Sequence, residues 1–323
     1  MSPDEAEILR RTIVQKLEQV DDRNLDGIIA IGTILRTKKQ GSFGVIYKGV
    51  YNTTEVCIKA FKDIENDVSS PEFLRRLVRE VKVWCELAHT HVVQLHGWIS
   101  YLESKQNLCP SLVSNWCGEG DVKAFLRRCP EADRRALVYG IARGLEYLHS
   151  KEIVHADMKP QNVVVSDERT PQLCDFGLSF IIWDTSTHIN PSSLAGTLRY
   201  IAPEVCHKEE PFRDKRTDVW AFGCTAMEIL RNTRPYGTIK NEFAVHGAIG
   251  GSAPPFALPA AQPIEEIFLL CLEPTPEHRI NMQTVTELLG QNHSGGGQAD
   301  NSSATQSFSH SHQFLNTAIL SST

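Results

Sequence analysis

Two polar runs flank a pair of short apolar stretches, and that arrangement narrows the folds open to this chain more than any other feature. The first run is Val154-His155-Ala156-Asp157-Met158-Lys159-Pro160-Gln161-Asn162 and the second is Asp175-Phe176-Gly177. Between them, Val163-Val164-Val165 reads as one strand and Gln172-Leu173-Cys174 as the start of another. A hairpin of that kind sets the two runs on neighbouring loops. Two carboxylates, an ammonium and a carboxamide then share a small volume.

Such a set suits transfer of a phosphoryl group from a metal-bound nucleotide. Asp157 is placed to accept a proton from an attacking hydroxyl. Asn162 and Asp175 offer hard oxygen ligands to Mg2+, which takes few protein ligands and keeps its other positions for water and phosphate. Upstream, Gln40-Gly41-Ser42-Phe43-Gly44-Val45-Ile46 precedes a strand-like segment that ends in a lysine, Val56-Cys57-Ile58-Lys59. Glycines let backbone N–H groups approach phosphate oxygens with no Cβ in the way.

Between Pro71 and Leu87, Phe73, Leu77, Val81 and Trp84 recur at helical spacing, with Arg75, Arg79, Lys82 and Glu86 on the opposite face. Glu80 falls inside the apolar stripe. A carboxylate on a buried face needs a cation, or a pKa shift will neutralise it. Lys59 is the expected partner, with Arg76 and Arg79 as alternatives.

In order and spacing these segments resemble the signature set of eukaryotic protein kinases. Gly196-Thr197-Leu198-Arg199-Tyr200-Ile201-Ala202-Pro203-Glu204 resembles the end of the kinase activation segment, and Asp218-Val219-Trp220-Ala221-Phe222-Gly223 the helix that anchors the catalytic loop. Arg279 sits where the family has an arginine that pairs with the Glu204 position. The resemblance implies an α+β, bilobal protein kinase fold: a small, mainly β lobe with one key helix and a larger, mainly helical lobe. It places the kinase domain at 30–290, with the small lobe at 30–113, the hinge at 114–118 and the large lobe at 119–290.

The implied cofactors are ATP and Mg2+. Gly41, Ser42, Phe43, Gly44 and Ile46 would cover the phosphates, and Lys59, paired with Glu80, would hold the α- and β-phosphates. The backbone around Ser114, Asn115 and Cys117 would bind adenine, and Asp121 would reach the ribose. Lys159 would contact the transferring phosphoryl group, while Thr197 would brace Asp157 and Lys159. Lys159 and the Gly196-Thr197 start resemble serine/threonine kinases. The run Arg79-Glu80-Val81-Lys82-Val83-Trp84 and the stretch Arg234-Pro235-Tyr236 resemble the tyrosine-kinase-like branch, including its small fungal members. The implied partners are ATP and protein substrates in signalling. The alternative is a pseudokinase scaffold, against which the intact Lys59, Glu80, Asp157, Asn162 and Asp175 count.

Two departures stand out. Lys39 replaces the first glycine of the phosphate loop. Ala156 replaces the arginine that usually follows the catalytic-loop histidine and gathers a phosphate on the activation segment. The chain is therefore of the type lacking that arginine. Phosphates on Thr185, Ser186, Thr187, Ser192 or Ser193 are expected to matter little.

Bulk properties exclude several other classes. With 323 residues, 41% hydrophobic and 22% charged, the chain is globular. Net charge is −6 and no long basic run is present, which argues against nucleic acid as a partner. The nine cysteines are scattered and form no C-x-x-C, which argues against a disulfide framework or a zinc site. No signal-peptide pattern opens the chain, and no apolar run approaches the ~20 residues of a membrane span. The expected location is the cytosol or nucleus. Residues 1–29 form an amino-terminal extension whose helix carries Ile8, Leu9, Ile13, Leu17 and Val20, to pack on the small lobe or on a coiled-coil partner. Residues 291–323 are rich in Gly, Ser, Asn and Gln and are expected to be a disordered tail, with Phe314-Leu315 and Ile319-Leu320 as a docking motif.

Overall fold

The computed structural model describes residues 3–35, 45–60, 71–101, 108–175, 198–206, 213–257 and 263–294. Lys39, Gly41, Ser42, Phe43, Gly44, Thr197, the five segment hydroxyls and the tail from 295 lie outside the described residues.

Five antiparallel strands make the small-lobe sheet: β1 (Ala30–Leu35), β2 (Val45–Tyr51), β3 (Thr54–Ala60), β4 (Leu95–Tyr101) and β5 (Leu108–Asn115), in the order β1-β2-β3-β5-β4. Asn52 and Thr53, at φ 47° and 67°, form the two-residue turn that joins β2 to β3. Both residues must be left-handed for such a turn to match the strand twist. Side chains alternate along β3 with the period of two that a strand imposes. Val56, Ile58 and Ala60 bury one face together with Leu25, Ile99 and Val113. Cys57 and Lys59 therefore point to the other face, opposite Ser114 and Leu112 of β5.

Helix α1 (Pro3–Glu18) and helix α2 (Pro71–Cys85) pack together beside β4. Leu74, Leu77, Val81 and Trp84 of α2 are buried, as are Ile13 and Leu17 of α1, and all belong to one apolar cluster. Ile8 does not follow the expected stripe. It is 66% exposed, because it lies five residues before Ile13, more than a full turn, and so faces away. The chain after α1 is stitched to β4. Arg23 ion-pairs with Asp21 at 2.6 Å and donates to the Leu95 carbonyl at 2.9 Å. Asp26 accepts from the Ser100 N–H at 2.8 Å and its hydroxyl at 2.6 Å. A Cβ on Gly97 would fall 2.2 Å from the Arg23 carbonyl oxygen, so only glycine allows so close an approach.

The large lobe holds a three-stranded sheet of β6 (Gly120–Asp121), β7 (Val163–Val165) and β8 (Pro171–Leu173). Its helices are α3 (Val122–Arg128), α4 (Arg134–Ser150), the short α5 (Pro203–Cys206), α6 (Lys215–Arg231), α7 (Glu242–Gly250), α8 (Pro263–Cys271) and α9 (Met282–Ser294). Strand β8 begins one residue earlier than the pattern predicts and ends at Leu173, before Cys174. Helix α6 is buried on most of its sides, with Val219, Trp220, Phe222, Cys224, Met227 and Ile229 in the core, as expected of a helix at the centre of a lobe. Asp214 and Thr217 close its amino end with a capping box. Glu204 and Arg279, far apart in sequence, meet in a bidentate pair at 2.7 and 3.1 Å, with the guanidinium over the Trp220 ring. Among the described residues, no helix is long and apolar enough to cross a membrane.

Leu17 is fully buried between α1 and α2, so Leu17→Ala removes about 2–5 kcal/mol of unfolding free energy. Urea unfolding of the two proteins measures it. A loss under about 0.5 kcal/mol, the range of ordinary surface substitutions, would mean that α1 is not part of the folded core.

Candidate functional site

The site is hung on one buried carboxylate. Asp218, on the first turn of α6 and 1% exposed, accepts from the backbone N–H groups of His155 at 2.7 Å and Ala156 at 2.8 Å, and pairs with His149 Nε2 at 3.0 Å. These bonds fix the loop that carries Asp157. Ala156 stands at φ 64°, a left-handed conformation that costs alanine of order 1–3 kcal/mol and persists only where its surroundings impose it.

His155 is fully buried and joins the two polar runs. Its Nδ1 accepts from the Asp157 N–H at 3.3 Å, so its Nε2 carries the proton and donates to the Cys174 carbonyl at 3.2 Å. Burial lowers the His155 pKa below that of an ordinary histidine, against the pull of Asp218, which agrees with a neutral ring. A second link is the Cys174 N–H, which donates to the Asn162 carbonyl at 3.0 Å. Asn162 and Asp175 are thereby held at adjacent ends of the β7–β8 pair.

Asp157 is gripped by one oxygen. Its Oδ2 accepts from Lys159 Nζ at 2.6 Å and from Asn162 Nδ2 at 2.8 Å. Its Oδ1 is buried and has no hydrogen-bond partner among the described residues. A buried carboxylate oxygen without a donor costs about 1–3 kcal/mol or more, so this atom suits an incoming hydroxyl. Because Asn162 also donates to the Asp157 carbonyl, its NH2 is committed and its amide oxygen is the atom left for a cation. With the Asp175 carboxylate this is a hard oxygen set, which fits a divalent cation of the Mg2+ type.

Lys59 departs from expectation. It ion-pairs with Asp175 at 2.5 Å rather than with Glu80, whose Oε2 is buried and has no hydrogen-bond partner among the described residues. Burial works against the charge on Lys59, yet Asp175 and then Glu80 raise its pKa above that of an ordinary lysine. Desolvation pushes the half-buried Asp175 carboxyl up, but Lys59 pulls its pKa below the usual carboxylate value. Glu80, 5% exposed, is pushed up to about 8 by burial, against the weaker pull of Lys59. One cation serves two acids, and the nearer one takes it.

The remaining cleft residues follow from strand register. Ile46 lies opposite Lys59 across β2–β3, on the same face. Ser114 and Asn115 end β5, and Cys117 follows them, buried. Burial pushes the Cys57 thiol up to about 11 and the Cys117 thiol up to about 12, so both stay protonated near neutral pH. Asp121, expected at the ribose, caps α3, its Oδ1 accepting from the Ala124 N–H at 2.8 Å. Arg213 was missed in the sequence. Its guanidinium bonds the Ala156 carbonyl, and it lines a cavity with Asp157, Met158, Tyr200 and Asp218. No local signal marks it, since the contact spans 57 residues.

Residues 37–289 match the protein kinase domain family. The serine/threonine-protein kinase CTR1 of Arabidopsis thaliana is 29% identical over 259 residues, 77% of this chain and 30% of that protein. The probable serine/threonine-protein kinase SIS8 of the same plant is 33% identical, over 65% of this chain and 20% of its own length. Mitogen-activated protein kinase kinase kinase 13-A of Xenopus laevis is 29% identical, over 69% of this chain and 21% of its own. The chain thus spans only a fifth to a third of these relatives.

Glu80 generates a pH test. In the unfolded chain it ionises near 4.5, whereas in the folded protein it keeps its proton up to about 8. The folded state binds the extra proton across that window, so the Glu80 contribution to stability falls as pH rises from 4.5 to about 8 and is flat beyond. Glu80→Gln, which mimics the protonated acid, should flatten this part of the profile and raise Tm relative to wild type at the alkaline end. Tm curves that stay parallel across the window would rule out a protonated Glu80.

Proposed function

Since the chain belongs to the protein kinase domain family, we propose that it is a serine/threonine protein kinase transferring the γ-phosphoryl group of ATP, with Mg2+, to protein hydroxyls in signalling. The observation that carries the reading is the Asp157 carboxylate, held at Oδ2 by Lys159 and Asn162 and, among the described residues, left unpartnered at the buried Oδ1. In this reading Oδ1 takes the proton of a serine or threonine hydroxyl as that oxygen bonds to the γ-phosphorus. The bond from phosphorus to the β–γ bridging oxygen breaks, and ADP departs. Lys159 sits beside the same carboxylate, with its ammonium near the transferring group. Asn162 and Asp175 would hold Mg2+, which supplies charge neutralisation on the phosphates. Lys59 would exchange Asp175 for the α- and β-phosphates, with Glu80 as its counter-charge.

The proposed organisation keeps residues 1–29 as an extension on the small lobe, 30–290 as the kinase domain and 291–323 as a tail. The extension or the tail would dock partners, and the cytosol is the proposed location. The catalytic loop lacks its usual arginine at Ala156.

Asp157→Asn and Asp175→Asn should each abolish phosphoryl transfer in an assay with labelled ATP·Mg2+ and a generic protein substrate. Nucleotide binding should survive better in the first variant. Wild-type turnover by Asp157→Asn removes the assignment of the base. A wild-type protein that binds nucleotide but labels nothing would instead be a scaffold.

Replacement of Thr185, Ser186, Thr187, Ser192 and Ser193 by alanine should leave kcat within a few-fold of wild type. A tenfold fall, about 1.4 kcal/mol of transition-state stabilisation, would show that a phosphate on this segment is needed after all.

A further inference from the structure

We propose that Arg213 is a positioning residue for Asp157, clamping the Ala156–Asp157 peptide from the segment that leads into α6. This rests on the kinase reading for its effect on turnover, but the clamp itself is a matter of geometry.

A peptide plane has two handles, its C=O and its N–H, and both are held here. The Asp157 N–H donates to His155 Nδ1 at 3.3 Å. The carbonyl at the other end of the same plane, that of Ala156, accepts from the Arg213 guanidinium. The preceding peptide is fixed as well, because the Ala156 N–H donates to Asp218 at 2.8 Å. Rotation of the Ala156–Asp157 plane would break two bonds at once and swing the Asp157 side chain away from Lys159 and Asn162. Residue 156 is alanine and brings no polar side chain of its own to this part of the loop. Ala156 also stands at φ 64°, so some outside contact must hold it there.

The electrostatics agree. Arg213 is desolvated, which lowers its pKa, and Asp157 and then Asp218 push it back up. A cation that is costly to bury is thus set between the two carboxylates that define the loop. A permanently charged guanidinium can do this while donating to a carbonyl. Arg213 precedes the Asp214 cap of α6, and a capped helix start is a rigid base for it.

The test compares Arg213→Met and Arg213→Lys with wild type in the full chain. Steady-state kinetics give kcat and the KM for ATP, and amide exchange reads residues 155–158 separately from the rest. For Arg213→Met, kcat should fall about tenfold or more, KM for ATP should stay within about twofold, and exchange should rise at residues 155–158 only. Arg213→Lys keeps a donor and a charge and should recover most of kcat. Unchanged kcat and unchanged exchange in Arg213→Met overturn the proposal. So does exchange that rises throughout the large lobe together with a lowered Tm, which would make Arg213 a residue of the fold alone. If the wild type transfers no phosphoryl group, the kinase reading fails, and the exchange of residues 155–158 still decides the clamp.

Discussion

A carboxylate withdrawn from water is tolerated only when its lone pairs are met by donors, and the whole reactive loop is organised by that requirement at Asp218. Its two oxygens collect the N–H groups of His155 and Ala156 and a nitrogen of His149. Helix α6, buried on most of its sides, sets that carboxylate at the centre of the large lobe. From there the constraint passes outward. His155 ties the loop to Cys174, Cys174 is tied to Asn162, and Asp157 is held by Lys159 and Asn162. The groups nearest the chemistry are thus fixed from the deepest part of the protein.

The upper wall of the cleft obeys a different economy. Lys59 is one cation facing two acids, the buried Glu80 and the half-buried Asp175, and of the two Asp175 reaches it within ion-pair distance. Glu80 is left to hold its proton, because an ionised carboxylate without a close partner is worse than a neutral one in a dry environment.

The amino-terminal extension shows how little of a small lobe need lie within a family's shared core. Helix α1 precedes the region matched at 37–289, yet Ile13 and Leu17 share one apolar cluster with α2, the helix that carries Glu80. Residues 21–26 are hydrogen-bonded along β4. Any displacement of α2 must therefore disturb the packing of α1 as well.

What could be read from the residues alone was whatever depends on short spacing. The β7 strand, the stripe of Leu77, Val81 and Trp84, the burial of Glu80 and the cluster of Asp157, Lys159 and Asn162 all follow from periods of 2 and 3.6 or from a few residues of loop. The resemblance to a family supplied one long-range pair, Glu204 with Arg279. Two features required the tertiary structure: the choice of Lys59 between Asp175 and Glu80, and the arrival of Arg213 at Ala156. Each depends on distances between segments remote in the chain, and a difference of an ångström or two decides which charge pairs and which stays neutral. Local patterning selects the elements and the kinds of chemistry they can carry. The packing of one lobe around Asp218, and of the other around α1 and α2, settles which groups actually meet.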